Sequence, residues 1–175
     1  METVIKFAKL DERAIIPTKR EEDAGFDLYA IVDEPYVVVF PHDTHIFDTG
    51  LCSAFSSDYY VQLQERGSTG IKGISNRAGV FDSGFRNEWK IPLTNLNEIP
   101  IVFYNGNLKP DEDEDSEIYD LIRYFGDIIY YPLSKAITQF IVLPVPKTSI
   151  VETTVEDIKS IPSERGEGKL GSSGK

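Results

Sequence analysis

Apolar runs in this 175-residue sequence are short, and proline or glycine separates many of them. The chain holds 10 prolines and 13 glycines, residues that break helices and favour turns between short strands. From Trp89 to Leu93, apolar residues alternate with others at the period of a half-buried strand. Pro92 places that strand at a sheet edge or a bulge. The pattern predicts an all-β sandwich, barrel or jelly roll without internal repeats.

Six segments carry the apolar or alternating pattern of strands. They are Val4–Phe7, Tyr36–Phe40, Tyr59–Gln64, Trp89–Leu93, Ile128–Leu133 and Ile137–Val145. No linker composition separates them, so we expect one β domain over residues 1–162.

One segment departs from the β pattern. Four apolar residues recur at the helical spacing i, i+3, i+4 and i+7, namely Ile118, Leu121, Ile122 and Phe125. Asp115 or Ser116 can cap the start of this helix, and Gly126 can end it. The acidic run from Asp111 to Asp115 precedes it. A surface helix beside a solvated acidic loop is the default interpretation, and a docking surface for a partner is the alternative.

Charge and cysteine content limit the function and the compartment. The formal net charge is −11, which argues against a protein that binds duplex nucleic acid through a broad basic face. A small phosphorylated ligand needs only a few local cations. Cys52 is the single cysteine, so no internal disulfide can form, and we expect a cytoplasmic protein. No signal-peptide pattern opens the chain, and no apolar run is long enough to span a bilayer.

Two stretches carry residues suited to nucleotide phosphate chemistry. Residues 65–70 place Arg66 and two small hydroxyls in a glycine-bracketed loop, which suits an oxyanion such as phosphate. Residues 76–86 place an amide, a flexible glycine, a carboxylate and an aromatic ring in one hairpin-sized segment: Asn76, Gly79, Asp82 and Phe85. These groups can read a base edge, activate a water and stack on a sugar. Taken alone, they are equally typical of turns and of a core aromatic.

The end of the chain changes composition. Residues 163–175 hold four glycines and three serines, too few apolar groups to bury a core. We expect a flexible tail there. Arg165 and its glycine-rich surroundings can wrap a polyphosphate once a ligand is bound.

Five short motifs follow one another along the chain. They are Ala24–Ala30, Arg66–Gly70, Gly79–Arg86, Ala136–Gln139 and Arg165–Gly174. In this order the sequence resembles the homotrimeric dUTPases, and five ordered motifs are far more specific than one. The resemblance implies a dUTPase-like jelly roll of the β-clip type. It also implies a homotrimer with sites between subunits, and hydrolysis of dUTP to dUMP and pyrophosphate.

The resemblance further implies roles for single residues in the reaction. Asp82 matches the general base that activates the attacking water. Asp27 matches the aspartate that binds the cofactor Mg²⁺ through coordinated water. The triphosphate is held by Arg66, Gly67, Ser68, Gln139, Arg165 and Ser172, of which Arg66 and Gln139 also align the reacting group.

Base and sugar selection follow from the same resemblance. Asn76 and the backbone near Gly79 face the uracil edge, and Phe85 lies on the deoxyribose. Leu170 covers the base in the position of a tail phenylalanine. Other departures from the family pattern are Gly67 for a serine, Phe85 for a tyrosine and Ala136 for an arginine.

The stretch between Asn95 and Gln139 is longer than the short hairpin that the family needs. Roughly Pro100 to Gly126 therefore resembles the insertion of some dUTPases from phages of Gram-positive bacteria. That group has been associated with binding a DNA-binding repressor. Two alternatives stay open: dCTP deaminase, which shares the fold, and an interaction protein in which the insertion is the working surface. We expect neither nucleic-acid nor membrane binding.

Overall fold

The computed structural model describes residues 3–106, 116–164, 166 and 168. Strands dominate this part of the chain, as predicted. The strands are β1 (Lys6–Lys9), β2 (Phe26–Leu28), β3 (Tyr36–Val39), β4 (Thr44–Asp48), β5 (Leu51–Ala54), β6 (Tyr59–Gln64), β7 (Ile74–Asn76), β8 (Val80–Phe81), β9 (Lys90–Asn95), β10 (Ile101–Tyr104), β11 (Ile129–Pro132) and β12 (Thr138–Pro144). The helices are α1 (Gly67–Gly70), α2 (Glu117–Phe125) and α3 (Val155–Ser160).

The strands form four small sheets. Their orders are β2-β12-β6-β8, β4-β9-β7, β3-β10-β11 and β1-β5. All pairings are antiparallel except that of β10 with β11. Strand β6 has the predicted bounds, and the other five predicted strands are shifted by one or two residues at either end.

Trp89 lies at the centre of the core and is fully buried. Its indole Nε1 donates to Ser53 Oγ at 3.1 Å, and its carbonyl accepts from Thr49 Oγ1 at 2.7 Å. The indole stacks on Phe81 with 4.4 Å between ring centroids and meets the edge of Phe140 at 5.4 Å. Because Phe81 belongs to β8, this contact anchors the motif Gly79–Arg86 to the core.

Pro92 is the clearest difference from the sequence prediction. Strand β9 is the middle strand of its sheet and pairs one-to-one with β4 through Pro92, so the prediction of an edge or a bulge was wrong. Pro92 lies opposite Ile46 of β4, and its carbonyl accepts from the Arg77 N–H at 2.9 Å. The nitrogen and carbonyl of one residue point to the same side of a strand. The proline nitrogen therefore faces the β7 side of β9, at a point where β7 has already ended. The N–H that proline lacks thus removes no hydrogen bond to β4.

The predicted helix is present as α2. Ser116 Oγ accepts from the backbone N–H of Tyr119 at 3.2 Å, and Gly126 ends the helix at a φ of 81°. That left-handed conformation favours glycine. A second small core holds the helix on the sheet through Val102, Ile118 and Ile128. Helix α2 thus lies in the crossover that a parallel β10–β11 pair requires.

The predicted insertion begins inside the core. Strand β10 belongs to the predicted insertion, and its residues Ile101, Val102 and Phe103 are all buried. A deletion that tests the insertion must therefore leave β10 in place. The acidic run from Asp111 to Asp115 lies outside the described residues.

The chain divides into two compact units, residues 1–145 and 146–175. The second unit contains α3, which begins after Thr154, whose Oγ1 accepts from the Asp157 N–H at 3.1 Å. Domain bounds of 1–162 and 163–175 stay a prediction, and Arg165, Leu170 and Ser172 lie outside the described residues. No helix in the described part of the chain is long and apolar enough to cross a membrane.

Candidate active site

A cleft of about 910 Å³ opens beside the carboxyl end of β6. Its lining includes Asp27, Arg66, Gly67, Ser68 and Gln139, and these five residues are named the arginine cleft here. The structure thus brings together four predicted phosphate ligands and the predicted magnesium-linked aspartate. The phosphate ligands are Arg66, Gly67, Ser68 and Gln139, and the aspartate is Asp27.

Sheet register explains why Asp27 and Gln139 meet. Strand β12 lies between β2 and β6, and Gln139 is directly opposite Asp27 on one side and Gln64 on the other. Directly opposite residues of an antiparallel pair project from the same face. Gly25 leaves room for the amide, since a Cβ atom there would lie 2.5 Å from Gln139 Oε1. Arg66 follows two residues after Gln64 and enters the cleft from the end of β6.

Arg66 is held in a fixed orientation. Its Nε lies 2.9 Å from Asp27 Oδ1, and Nη1 donates to the Ala136 carbonyl at 3.0 Å. Nη1 also lies 3.4 Å from Ser68 Oγ. The Arg66 and Asp27 side chains are 27% and 34% exposed, so the pair is partly screened from water and open to a ligand. The two charges neutralise each other at the floor of the cleft.

The loop after Arg66 is shaped by Thr69, which the sequence analysis gave no role. Thr69 is buried; its Oγ1 accepts from the Arg66 N–H at 3.1 Å and donates to the Arg66 carbonyl at 2.9 Å. The first N–H groups of a helix have no partner within it. In α1 these groups belong to Gly67 and Ser68, beside the guanidinium of Arg66. The spacing of three residues between Arg66 and Thr69 was the available sequence signal.

Charged residues of both signs line the rim of the cleft. Arg20 Nε lies 2.8 Å from Asp23 Oδ2, and the hydrogen bond from Arg20 lowers the pKa of the Asp23 carboxyl. Lys19 Nζ lies 5.5 Å from the centre of the Phe26 ring. Glu22 also lines the cleft. Among the described residues, no three His, Cys, Asp or Glu side chains group closely enough to hold a metal ion. A metal here needs further oxygen ligands from a bound molecule or water.

The other predicted residues, named the hairpin group here, do not line this cleft. They are Asn76, Gly79, Asp82 and Phe85. Asp82 is exposed, and its carbonyl accepts from the Phe85 N–H at 3.0 Å in a turn. Within a single chain, Asp82 is therefore not among the residues that line the arginine cleft.

The Asn76 amide closes a ring within its own turn. Its Nδ2 donates to the Ala78 carbonyl at 2.7 Å, and its Oδ1 accepts from the Ala78 N–H at 3.1 Å. The Gly79 carbonyl accepts from the Leu63 N–H of β6 at 3.0 Å. In this arrangement the Asn76 side chain shapes the backbone at residues 77–79 and does not extend away from the turn.

Phe85 rests on the core and keeps part of its ring in solvent. The ring is 39% exposed and meets Phe81 edge-on, with 5.9 Å between centroids. Arg86 fixes the turn from below, because Nη1 donates to the carbonyls of Ser53, Ser83 and Phe85. The exposed part of the Phe85 ring is available for stacking.

Glu65 connects the arginine cleft with the hairpin group, and sequence reasoning missed it. Its carbonyl accepts from Gln139 Nε2 at 2.9 Å. Its carboxylate Oε1 accepts from the Asn76 N–H at 3.1 Å and from Ser75 Oγ at 3.2 Å. No local spacing pattern announces contacts with residues that lie 10, 11 and 74 positions along the chain.

Known proteins resemble this chain in sequence and in fold. The dUTPase family model matches residues 11–107. The deoxyuridine 5'-triphosphate nucleotidohydrolase of Nautilia profundicola is 30% identical over 175 residues, which cover 98% of this chain and 99% of the relative.

Two solved structures share the fold. The Staphylococcus bacteriophage 80alpha dUTPase with dUPNHPP has a TM-score of 0.68 and 20% identity, covering 98% of this chain and 99% of its own. The dUTPase of Staphylococcus aureus phage phi11, described with a structural Mg(II) ion, has a TM-score of 0.63 and 16% identity. That match covers 86% of this chain and 96% of its own. The predicted jelly-roll fold is thereby confirmed.

Proposed function

Because this chain belongs to the dUTPase family, we infer that it is a dUTP diphosphatase, which hydrolyses dUTP to dUMP and pyrophosphate. The observation that carries this function is the arginine cleft, where a partly exposed guanidinium, Gly67 and Ser68 of the following loop and the Gln139 amide line one cavity. Such donors bind phosphate oxygens and stabilise charge that develops on a leaving pyrophosphate.

Asp27 and Arg66 together favour a ligand that carries both charges. A free anion would compete with Asp27 for the guanidinium, and a free cation would compete with Arg66 for the carboxylate. A triphosphate bound to a divalent metal satisfies both at once. The acidic rim residues Glu22 and Asp23 add oxygen donors beside Asp27.

The donor set therefore fits Mg²⁺, which keeps several waters and needs few protein carboxylates when phosphates are present. Asp27 would hold the ion through a coordinated water. The ion supplies charge neutralisation across the phosphates. Asp27 also holds the Arg66 guanidinium in place within the cleft. Both residues belong to the same chain, so this contact needs no bound ion.

Asp82 is the proposed general base. It takes a proton from the water that attacks the α-phosphorus in line with the leaving pyrophosphate. Its exposure and its absence from the arginine cleft are explained if the hairpin group serves the cleft of a neighbouring copy. The proposed assembly is a homotrimer with one site at each boundary between copies, each copy giving its cleft to one site and its hairpin group to another.

Selection of the nucleotide falls to the remaining hairpin residues. The backbone of residues 76–79 is named the base-reading turn here. The N–H groups of Asn76, Arg77 and Ala78 are bonded within the chain, so the backbone near Gly79 is the part proposed to face the uracil edge. The Asn76–Ala78 ring keeps the turn rigid enough to exclude a thymine methyl group. The exposed part of Phe85 stacks on the deoxyribose and leaves no space for a 2′-hydroxyl.

The resemblance assigns three further roles to tail residues, which lie outside the described residues. It implies that Arg165 and Ser172 bind the phosphates and that Leu170 covers the base. A leucine gives apolar contact without ring stacking, which is worth about 1–3 kcal/mol per base.

One assay tests the function. Purified protein with Mg²⁺ should release pyrophosphate from dUTP and leave dTTP, dCTP and UTP largely intact. Release of ammonia from dCTP would instead support the deaminase that shares this fold. Hydrolysis of all four nucleotides at equal rates would contradict the proposed base and sugar selection.

We also propose a second role, binding of a DNA-binding repressor, on the basis of the exposed aromatic side chains of α2. Tyr124 is 83% exposed and meets Phe125 edge-on at 4.8 Å, and Phe125 lies 6.3 Å from the partly exposed Phe40. Exposed aromatic residues are enriched at protein interfaces. The neighbouring acidic run would attract a basic partner in a salt-dependent manner.

The repressor role is tested by replacing residues 107–115 with a short turn, which spares β10. The variant should keep dUTP hydrolysis and lose a partner that the intact protein captures from host lysate at low salt. Tyr124→Ala should lose the same partner. Equal capture by the intact and altered proteins would remove the second role and leave the enzyme unaffected.

A further inference from the structure

Glu65 lies where the two halves of the proposed site meet within one chain. It follows β6 directly and precedes Arg66, whose backbone is extended at a φ of −83° and a ψ of 148°. A movement of the Glu65 backbone would therefore also move the start of the loop formed by residues 66–70. The backbone carbonyl of Glu65 also takes one N–H of the Gln139 amide, which fixes how that amide faces the cleft.

The Glu65 side chain runs to a different element. Its carboxylate Oε1 accepts both the Asn76 N–H and the Ser75 hydroxyl at the end of β7. Bonds to an ionised acceptor are stronger than neutral ones. The Asn76 amide continues the connection to Ala78 through two more hydrogen bonds. Gln139, Glu65, Asn76 and Ala78 thus form one continuous hydrogen-bonded chain.

We propose that Glu65 is a positioning residue that holds the base-reading turn in register with the arginine cleft. This inference rests on the proposed function, because it assigns the turn to uracil and the cleft to phosphate. The carboxylate Oε1 accepts from one donor at the end of β7, Ser75 Oγ, and from one donor of the turn, the Asn76 N–H. Loss of the carboxylate removes the bonds to Ser75 and Asn76 and leaves the turn held by its remaining backbone bonds. A turn held by fewer bonds shifts more easily, binds uracil less well and excludes the thymine methyl group less strictly.

The test compares Glu65→Ala with Glu65→Gln, which keeps an acceptor oxygen without the charge. In the alanine variant the KM for dUTP should rise about fivefold to tenfold, a change within the range of one ordinary hydrogen bond, because the turn keeps its other contacts. The kcat should change less than KM, and the preference for dUTP over dTTP should fall by a similar factor. The glutamine variant should recover most of the wild-type KM and preference.

Controls separate positioning from general stability. Glu98→Ala removes another exposed glutamate, which is paired with His42 at 3.2 Å, and should leave KM and preference unchanged. Glu65 is exposed, so Glu65→Ala should fold with an unchanged Tm. If it does not fold, Glu65→Asp gives the same test, because it keeps the charge and shortens the reach.

The outcomes distinguish this inference from the proposed function. Wild-type protein that fails to cleave dUTP would overturn the function and the inference with it. Active wild-type protein with unchanged KM and preference in Glu65→Ala would overturn the inference alone. An equal loss on every nucleotide with a lowered Tm, or no recovery in Glu65→Gln, would also overturn it.

Discussion

The arginine cleft and the hairpin group differ in how their side chains are held. In the cleft, Asp27 and Gln139 face each other by strand register, and Arg66 is bound by Asp27 and the Ala136 carbonyl. In the hairpin group, Asp82 and Phe85 are exposed on a turn fixed mainly through its backbone. Contacts between side chains order the cleft. Backbone hydrogen bonds hold the hairpin group, whose Asp82 and Phe85 side chains are exposed.

This difference indicates how the work is divided. In the proposed site, a cleft organised within one chain would bind the triphosphate before any other part of the site arrives. A carboxylate on an exposed turn is useful only when another surface approaches it. We therefore expect substitutions in the cleft to weaken substrate binding, and substitutions in the hairpin group to affect the chemical step or the choice of nucleotide.

The largest expected effect is in the hairpin group. Asp82→Asn keeps the shape of the side chain and removes the proton acceptor, so kcat should fall about 10²–10⁴-fold. Binding of a non-hydrolysable dUTP analogue should stay within a few-fold of wild type. Asp58→Asn, in another exposed turn, is the matched control and should leave kcat unchanged. Near-normal turnover in Asp82→Asn would end its assignment as the base.

The next effect is in the cleft. Arg66→Lys keeps the charge but cannot bind Asp27, Ala136 and phosphate at once, because lysine lacks the guanidinium fork. Its kcat/KM for dUTP should fall about 30-fold to 100-fold, and analogue binding should weaken with it. Arg13→Ala breaks a surface pair with Asp11 and Asp33 and should change neither value. Unchanged analogue binding in Arg66→Lys would contradict the division of work.

Gly25 gives a sharper test of the cleft because the three atoms nearest to a Cβ placed there all belong to the Gln139 side chain. In Gly25→Ala the new Cβ would lie 2.5 Å from Gln139 Oε1, so the flexible amide must turn away. The fold should survive, with kcat/KM for dUTP lowered about tenfold through the displaced donor. In a Gln139→Ala background the same change should cost little. Full additivity of the two changes would show that Gly25 acts elsewhere.

The smallest expected effect concerns sugar choice. Phe85→Ala should narrow the ratio of kcat/KM for dUTP over UTP about fivefold to tenfold, since a ring contact of this kind is worth about 1–3 kcal/mol. Tyr124→Ala removes a more exposed ring on α2 and should leave the ratio unchanged. If Phe85→Ala keeps the wild-type ratio, the ring does not select the sugar.

Local patterns predicted the elements that local forces build. Strand β6 has its predicted bounds, and α2 begins after Ser116 and ends at Gly126 as its cap residues indicated. Strand β2 was missed because three residues are too few to show a period. Pro92 was assigned to an edge because its own sequence cannot show that β7 ends beside it.

The motifs named candidate site residues, of which five line one cleft, but they could not predict contacts between distant positions. The motif match named Arg66, Asp27 and Gln139, but their contacts join residues 39 and 70 or more positions apart. Glu65 was overlooked for the same reason, since its partners are fixed only when β6, β7 and β12 are assembled.

Complementation between two inactive variants tests the central claim, that one chain's cleft works with another chain's hairpin group. Asp82→Asn and Arg66→Ala proteins are unfolded together, mixed in equal amounts and refolded, and dUTP hydrolysis is measured. In randomly mixed assemblies roughly a quarter of the sites combine an intact cleft with an intact hairpin group. Activity should therefore return to about that fraction of wild type. Mixed assemblies that form but stay as inactive as either parent would contradict the shared site.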